Sequence, residues 1–258
     1  MNLDNIIKSI YRYPIKGFCG ELLSNVLLLA DNVIPGDREY AFARSEINFD
    51  PNNPHYIKKT KFLALVKYEK LALLEAKFNN YSKRLLLSEG GIKLIEGNLT
   101  NQEDCQKISN FLKRYLNLPS SAQPNMVRAR GGTKFHSFSD VPDKAISLIN
   151  LSTVDELSSE FGTKIDYRRF RSNIYFENKF PWEEFNWIDH KLRIGEAVVK
   201  IIKRTKRCGA TNVNPLSAVR DINIPLELKK HYKHTDLGIY AIVEESGAVN
   251  VGDTIQIL

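Results

Sequence analysis

Short runs in which apolar and polar residues alternate dominate the first part of the chain. An alternation with a period of two residues predicts β-strands that bury one face. Turn residues separate several of the runs, among them Pro35-Gly36-Asp37 and Glu89-Gly90-Gly91, and the second of these predicts a hairpin inside an antiparallel meander. The runs cover residues 6–15, 22–29, 40–43, 63–68, 71–78 and 84–96.

Two helical patterns interrupt the strands. Thr100 and Glu103 predict a capping box for the first helix, and Pro119 ends its pattern. A second helix is predicted from Ser152, where Ser152 and Asp155 form another possible capping box. The apolar stripe of the first helix consists of Ile108, Phe111, Leu112 and Tyr115.

Residues 120–144 contain few periodic apolar positions, and Gly131-Gly132 lies among them, so this segment indicates a connection. A domain boundary placed there predicts two domains, 1–122 and 123–258. The second domain again has mostly strand patterns. The predicted fold class is therefore mainly β with a few helices (α+β), built as barrels or sandwiches. The later strand runs are 173–177, 192–194, 197–202, 238–244, 248–251 and 254–258.

Composition supports a globular protein, because 43% of the 258 residues are hydrophobic. The three cysteines, Cys19, Cys105 and Cys208, are widely spaced, which argues against a disulfide framework and against a zinc cluster of paired CxxC units. A reducing compartment fits this pattern. Neither a signal-peptide core nor a membrane-spanning run stands out, so we expect a soluble, cytoplasmic protein without a membrane span.

The net charge of +7 raises nucleic-acid binding as a possible function. The basic residues are spread along the chain between acidic ones, and the sequence shows no zinc finger, no RNP-type aromatic motif and no helix-turn-helix. We therefore expect no nucleic-acid partner. The two dense basic clusters, 167–171 and 203–207, could also surround a small anionic ligand. Each cluster by itself is equally consistent with a basic surface that faces solvent.

Cys208 is the main candidate for chemistry. Four cationic residues precede it within five positions, and nearby positive charge favours a thiolate, which can bind a soft metal or attack an electrophile. The alternative is a half-buried structural cysteine beside a solvated basic strand end. The four cations are Lys203, Arg204, Lys206 and Arg207.

Seven short motifs follow one another in an order that resembles the MOSC family. The similarity is to the branch with an N-terminal MOSC-associated β-barrel domain, as in the mitochondrial amidoxime-reducing component and its bacterial relatives. It implies a β-barrel-like domain at 1–122 followed by a MOSC β-barrel at 123–258. The motifs are YPIKG (13–17), PGDR (35–38), RRFRSNI (168–174), WEEFNW (182–187), RIG (193–195), KRCGATNVNP (206–215) and VGD (251–253).

The resemblance implies a molybdenum cofactor and assigns residues to it. Cys208 corresponds to the family's molybdenum ligand, and a metal held mostly by molybdopterin needs no further cluster of protein ligands. Taken singly, Lys16 is an ordinary surface lysine, Arg38 a turn arginine and Arg171 a charge at a strand edge. The resemblance assigns Lys16, Arg38, Arg171 and Asn173 to the cofactor phosphate, and Arg207, Thr211 and Asn214 to the cofactor-binding loop around the cysteine.

The remaining matched positions have other expected roles. Glu184 and Trp187 match an acidic-tryptophan element and are expected to pack and to anchor a loop. Gly17 and Ser172 depart from the serine and proline that the family commonly has. The resemblance also makes pyridoxal phosphate a ligand to consider.

The function implied is a molybdenum-dependent oxidoreductase that reduces N-hydroxylated (N–O) small molecules. Since the chain ends at Leu258, directly after the predicted MOSC barrel, we expect electrons from a separate protein of the cytochrome b5, ferredoxin or flavin reductase type. One alternative is a non-enzymatic protein that carries sulfur or cofactor through Cys208. Another is a basic structural or nucleic-acid-binding β protein.

Overall fold

A computed structural model describes residues 5–129 and 136–258. The Gly131-Gly132 pair of the predicted connection lies outside these residues. The helices are α1 (Gln102–Tyr115), α2 (Leu151–Glu160) and α3 (Ile224–Tyr232). The strands are β1 (Ile6–Arg12), β2 (Glu21–Leu23), β3 (Asn25–Leu28), β4 (Tyr40–Ala43), β5 (Glu75–Asn79), β6 (Arg84–Glu89), β7 (Ile92–Asn98), β8 (Asn125–Arg128), β9 (Ile146–Asn150), β10 (Ile174–Glu177), β11 (Lys191–Ile194), β12 (Ala197–Lys206), β13 (Asp236–Glu245), β14 (Gly247–Asn250) and β15 (Ile255–Ile257).

The main sheet has eight strands in the order β15-β11-β12-β13-β9-β10-β1-β2. It curls into a half-barrel, and the backbone N–H of Ile7 donates to Asp253 O at 2.9 Å, while the N–H of Gly252 donates to Ile7 O at 2.9 Å. These bonds bring β1 to the segment before β15. The inner face of the sheet is apolar and fully buried, as the pattern of period two predicts.

Three smaller sheets complete the fold. They are β14-β3, β4-β8 and the meander β5-β6-β7. The predicted hairpin at Glu89-Gly90-Gly91 is present, and the positive φ angles of Gly90 (56°) and Gly91 (78°) explain why glycine is required at both turn positions. Residues 63–68, expected as the first strand of the meander, instead form turns before β5.

The chain's first strands pair with strands from its second half. Strand β1 runs antiparallel to β10, and β3 runs antiparallel to β14. The predicted domains 1–122 and 123–258 therefore share β-sheets, and the boundary between them stays a prediction. A second apolar core lies between the meander, α1 and β4, with Phe42, Leu85 and Ile108 fully buried.

The structure confirms a mainly β protein with a few helices. Both predicted capping boxes are wrong by one or two residues: Asn101 caps α1 by accepting from Asp104 N, and Asn150 caps α2 by accepting from Ser152 N. Helix α3 was not predicted. Within the described residues, no helix has the length and apolar character that a membrane crossing requires.

Candidate functional site

A cleft of about 470 Å³ opens where the two halves of the chain meet. The end of β12, the loop after β1 and residues 59–66, 139–147 and 169–173 all contribute side chains. This volume lies within the range of about 300–1,000 Å³ that is usual for ligand sites. Within the described residues, nine lining positions are lysine or arginine, and one, Asp140, is a carboxylate. The surplus of positive charge favours an anionic ligand.

Cys208 lies in the cleft wall, directly after β12. Its backbone is extended, and the 3-10 turn Gly209–Asn212 follows it. Thr211 fixes this turn, because its backbone N–H and its Oγ1 both donate to Cys208 O, at 3.0 and 2.8 Å. The Cys208 thiol is half-buried, and the ammonium of Lys59 donates to its sulfur at 3.2 Å. The sulfur therefore lies beside a positive charge.

Lys59 connects Cys208 to Asp140. Its Nζ lies 3.4 Å from Asp140 Oδ2. Burial by itself lowers the pKa of Lys59, but the charge of Asp140 and the contact with Cys208 outweigh burial and raise the pKa to about 12. Lys59 is therefore a cationic donor at neutral pH.

Lys16 is buried, with 4% of its side chain exposed, and it binds the segment that carries Asp140. Its Nζ donates to Asp140 Oδ1 at 2.6 Å, to Phe138 O at 2.7 Å and to Ser139 O at 3.4 Å. Burial lowers the pKa of Lys16, and Asp140 opposes this shift. Partial desolvation by the surrounding protein raises the pKa of Asp140, but the charges of Lys16 and Lys59 outweigh it and hold that pKa well below its ordinary value.

Arg38 and Arg171 lie together over Tyr13, with guanidinium carbons 4.8 and 4.5 Å from the ring centre. Arg38 donates to Arg171 O at 3.0 Å and to the carboxylate of Asp37, while Arg171 donates to Phe18 O. Burial lowers the pKa of Arg38, but Asp37 outweighs it, so the pKa is raised. Burial lowers the pKa of Arg171, and the charge of Arg38 adds to the lowering.

Asn173 and Arg207 also line the cleft, but their polar groups are bonded within the protein. Asn173 Oδ1 accepts from the N–H and the hydroxyl of Ser147, at 3.1 and 3.0 Å. Arg207 donates to Leu237 O and to Phe170 O. Both residues therefore hold the cleft wall in place.

Asn214 is the one predicted site residue that does not line the cleft. It shapes the loop behind the cysteine: Oδ1 accepts from Leu216 N at 2.9 Å, and Nδ2 donates to Asp221 Oδ2 at 2.7 Å. The other seven predicted residues all contribute to the cleft. They are Lys16, Arg38, Arg171, Asn173, Arg207, Cys208 and Thr211.

Sequence reasoning missed several residues of the site. Lys59 and Asp140 lie in segments without periodicity or matched motifs, so nothing in the sequence pattern marked them. Arg169 and Arg220 hold the cysteine loop: Arg169 pairs with Asp221 at 2.6 Å, and Arg220 donates to Gly209 O at 2.8 Å. Arg169 belongs to the RRFRSNI motif, and that motif is the one feature of the sequence that could have marked Arg169 as a site residue.

Glu184 and Trp187 lie outside the cleft and are buried. Glu184 accepts from Asn150 Nδ2 at 3.2 Å and from Thr153 Oγ1 at 3.2 Å, so it ties its loop to the start of α2. Burial raises the pKa of Glu184 to about 7. Their positions agree with the expected packing and anchoring roles.

The described residues contain no group of three or more histidine, cysteine or acidic side chains that could hold a metal ion. Any metal in the cleft would need most of its ligands from a bound organic group. Cys208 is the thiol that the cleft offers to such a metal.

A sequence model of the MOSC domain matches residues 133–256. Mitochondrial amidoxime reducing component 2 from Macaca fascicularis is 31% identical over 181 residues, covering 62% of this chain and 53% of the relative. The Bos taurus component 2 is 28% identical over 179 residues with the same coverage. Human component 1 is 26% identical over 186 residues, covering 64% and 53%. This chain spans about half the length of these curated relatives.

Two solved structures are also similar. The YUAD protein from Bacillus subtilis has a TM-score of 0.44 and 12% identity, covering 98% of this chain and 94% of that one. YiiM from Geobacillus stearothermophilus has a TM-score of 0.35 and 14% identity, covering 44% and 53%. From the domain match together with the amidoxime reducing components, we conclude that residues 133–256 form a MOSC domain.

Proposed function

We propose that the cleft binds a molybdenum cofactor of the molybdopterin type and that the protein uses it to reduce N-oxygenated small molecules. The position of Cys208 carries the proposal. Its half-buried thiol lies in the wall of a cleft lined by nine cationic residues among those that the structure describes, and Cys208 itself belongs to the segment matched by the MOSC domain. The reaction class comes from the relatives, which are named amidoxime reducing components.

The lining residues fit such a group. Two buried polar atoms on them, Arg169 Nε and Thr205 Oγ1, have no hydrogen-bond partner within the described part of the chain, so each has a donor free for a ligand acceptor. A Cβ built on Gly209, next to Cys208, would meet no atom within 4 Å, so the backbone beside the thiol has open space. Cationic walls suit the phosphate of a pterin cofactor.

We assign the phosphate to Arg38 and Arg171 and the metal to the thiolate of Cys208. Arginine grips phosphate with a fork of donors, and both guanidinium groups are already held over Tyr13. Lys59 places a cationic donor next to Cys208, where it can orient the oxygen of an N–O group. The apolar residues Leu65, Val66 and Phe170 also line the cleft.

When bound, molybdenum would supply two-electron redox chemistry at Cys208. Conversion of an N-hydroxyl group to N–H consumes two electrons and two protons and releases the oxygen as water. A separate donor protein of the cytochrome b5, ferredoxin or flavin reductase type would deliver the electrons. The cations of the cleft would hold the anionic cofactor during the reaction.

A second candidate function is the carriage of sulfur or cofactor through Cys208. The contact between Lys59 Nζ and Cys208 Sγ favours it, because an ammonium group stabilises an anionic persulfide as well as a thiolate. Cyanide releases thiocyanate from a persulfide. Thiocyanate from the purified protein, without molybdenum, would favour this function over the reductase.

The test is the metal content of protein made in two hosts, one able and one unable to make molybdopterin. We expect stoichiometric molybdenum and pterin from the first host alone, and reduction of an amidoxime with a reduced viologen dye as donor. Cys208→Ala should fold and lose both metal and activity. Cys105→Ala is the matched control, because this half-buried thiol lies in α1 and does not line the cleft.

Retention of molybdenum by Cys208→Ala would refute the ligand assignment. Wild-type protein without molybdenum or pterin from the competent host would refute the proposed function. Pyridoxal phosphate, the other expected phosphate ligand, is recognised in the same samples by a link to lysine that borohydride makes permanent.

A further inference from the structure

Asp140 is the one carboxylate among the described residues that line the cleft, and it lies between two of the cations. Its Oδ1 accepts from Lys16 at 2.6 Å, and its Oδ2 lies 3.4 Å from Lys59 Nζ. A phosphate or sulfate anion would be attracted to the same two ammonium groups. Asp140 therefore competes with any anion that approaches this end of the cleft.

The donors of Lys16 are fully used in this arrangement. A lysine ammonium has three N–H donors, and Lys16 directs them to Asp140, Phe138 O and Ser139 O. An incoming anion can bind Lys16 only if one of these acceptors gives way. The two backbone oxygens belong to a fixed segment, since Phe138 N donates to Arg38 O at 2.9 Å and the Phe138 ring is buried. The carboxylate of Asp140 is the acceptor that can move.

Asp140 can move without losing hydration. Its side chain is 45% exposed, so rotation about its own bonds can turn the carboxylate into water. Its backbone stays in place, because Tyr56 Oη donates to Asp140 O at 3.2 Å. Displacement by a ligand then costs the ion pairs with Lys16 and Lys59 but no refolding of the segment.

We propose that Asp140 is a specificity-determining residue of the cleft: its carboxylate competes for Lys16 and Lys59, so small free anions are rejected. A large ligand that is anchored elsewhere, at Cys208 and at the Arg38–Arg171 pair, compensates for the displacement with its other contacts. A free phosphate ion has no second group with which to make these contacts while it binds Lys16 and Lys59. This inference deepens the proposed function and rests on it, since both concern the same cleft.

The experiment is a calorimetric titration with inorganic phosphate at low, constant ionic strength. The protein comes from a host that cannot make molybdopterin, so the cleft is free of cofactor. Asp140→Asn keeps the shape and an acceptor for Lys16 but removes the charge. We expect it to bind phosphate about tenfold more tightly than the wild type, because the competing charge is gone.

Asp143→Asn is the matched control. Asp143 lies three residues away and pairs with Lys203, which also lines the cleft, but Lys203 is 43% exposed whereas Lys16 is 4% exposed. Asp143→Asn removes one negative charge, as Asp140→Asn does, but it should change the phosphate affinity by less than about twofold. Adding Lys59→Met to Asp140→Asn should cancel the gain, because one of the two competing cations is lost.

Asp140→Ala replaces Asp140→Asn if the latter fails to fold, as judged by circular dichroism and thermal unfolding. Equal or weaker phosphate binding in the folded Asp140 variant overturns the inference. Equal gains in phosphate affinity from Asp140→Asn and Asp143→Asn overturn it as well, since the gain then comes from the change in net charge and not from the position of the carboxylate. The titration contains no molybdenum, so its failure is distinct from a failure of the metal-content experiment.

Discussion

Arg38 Nη2 donates to the backbone oxygen of Arg171 at 3.0 Å, across 133 positions of sequence. Both residues have positive φ angles, 51° and 53°, which non-glycine residues adopt at a cost. Both guanidinium groups also lie over Tyr13. Two like charges are thus held side by side, and the ring face and the carboxylate of Asp37 offset their repulsion. We interpret this pair as a preorganised anion clamp.

Tyr13 should therefore control cofactor retention through its ring and not through its hydroxyl. Tyr13→Phe keeps the ring and loses the hydrogen bond to Ser172 O. We expect it to retain pterin within about threefold of the wild type. Tyr13→Leu removes the platform under both arginines and should retain about tenfold less. The measurement is pterin fluorescence after dialysis, normalised to folded protein. Equal retention by the two variants would show that the ring is not the platform.

Arg38 and Arg171 should act as one unit. Loss of a charge-assisted hydrogen bond costs about 1.5–3 kcal/mol, so each alanine variant should bind the cofactor roughly ten- to a hundredfold more weakly. Arg171→Lys should fall between wild type and alanine, because the charge stays and the fork is lost. The double variant should lose less than the sum, since both residues share Tyr13 and one anion.

Arg168→Ala is the control for these variants. Arg168 belongs to the same basic run, but it pairs with Asp166 at the surface and does not line the cleft. Its loss should leave the retained pterin unchanged. Strictly additive effects of the Arg38 and Arg171 variants would argue against a shared anion.

The strands and the meeting of distant arginines could be predicted for different reasons. Period-two alternation is local, so β6 and the Gly90-Gly91 turn followed from the residues themselves. The convergence of Arg38 and Arg171 followed from motif order, because neither residue carries a local signal for the other. The helix starts differ from the prediction by one or two residues. Asn101 caps α1 in place of Thr100, and Asn150 caps α2 in place of Ser152.

The Asp140–Lys59–Cys208 chain could not be predicted. Lys59 and Cys208 are separated by 149 positions, and their contact depends on how irregular segments cross the cleft. Such irregular segments have no hydrophobic periodicity from which the path of the backbone could be predicted. Helix α3 was not predicted either, and Pro225 lies in its first turn, where the missing N–H of proline costs nothing.

Arg220 should limit the access of reagents to Cys208. Its guanidinium donates to Gly209 O at 2.8 Å and to Leu65 O at 2.9 Å, so it ties the cysteine turn to the other half of the cleft. In cofactor-free protein, Arg220→Ala should raise the rate of Cys208 alkylation by iodoacetamide roughly fivefold, because the turn opens more often. Arg220→Lys should recover part of the protection. Mass spectrometry of the Cys208 peptide gives the rate.

The control separates this role from the exposed ion pair of Arg220. Glu69 lies 3.3 Å from the guanidinium, and its side chain is 46% exposed. Glu69→Gln should therefore leave the alkylation rate close to that of the wild type. An unchanged rate in Arg220→Ala would mean that other contacts, such as those of Arg169, hold the turn alone.

Glu184 should make stability depend on pH. Its folded-state pKa is raised to about 7 from an ordinary value of 4.5, since burial disfavours the charged form. Between these values the unfolded chain releases a proton that the folded protein keeps, so stability falls as the pH rises. The contribution is fully present below about pH 4.5 and lost above about pH 7, and it amounts to about 3 kcal/mol. Urea unfolding from pH 5 to pH 8 should show this decline in the wild type.

Glu184→Gln should flatten that decline, because the amide is neutral at every pH while its oxygen can still accept from Asn150 and Thr153. Glu183→Gln removes the adjacent carboxylate, which accepts from Asn186 at 3.3 Å, and should keep most of the wild-type decline, because Glu183 contributes less than burial to the raised pKa of Glu184. The comparison of slopes is informative even if both variants are less stable overall, since a simple loss of packing lowers stability equally at each pH. A Glu184→Gln protein that still loses stability between pH 5 and pH 7 would place the titrating group elsewhere in the fold.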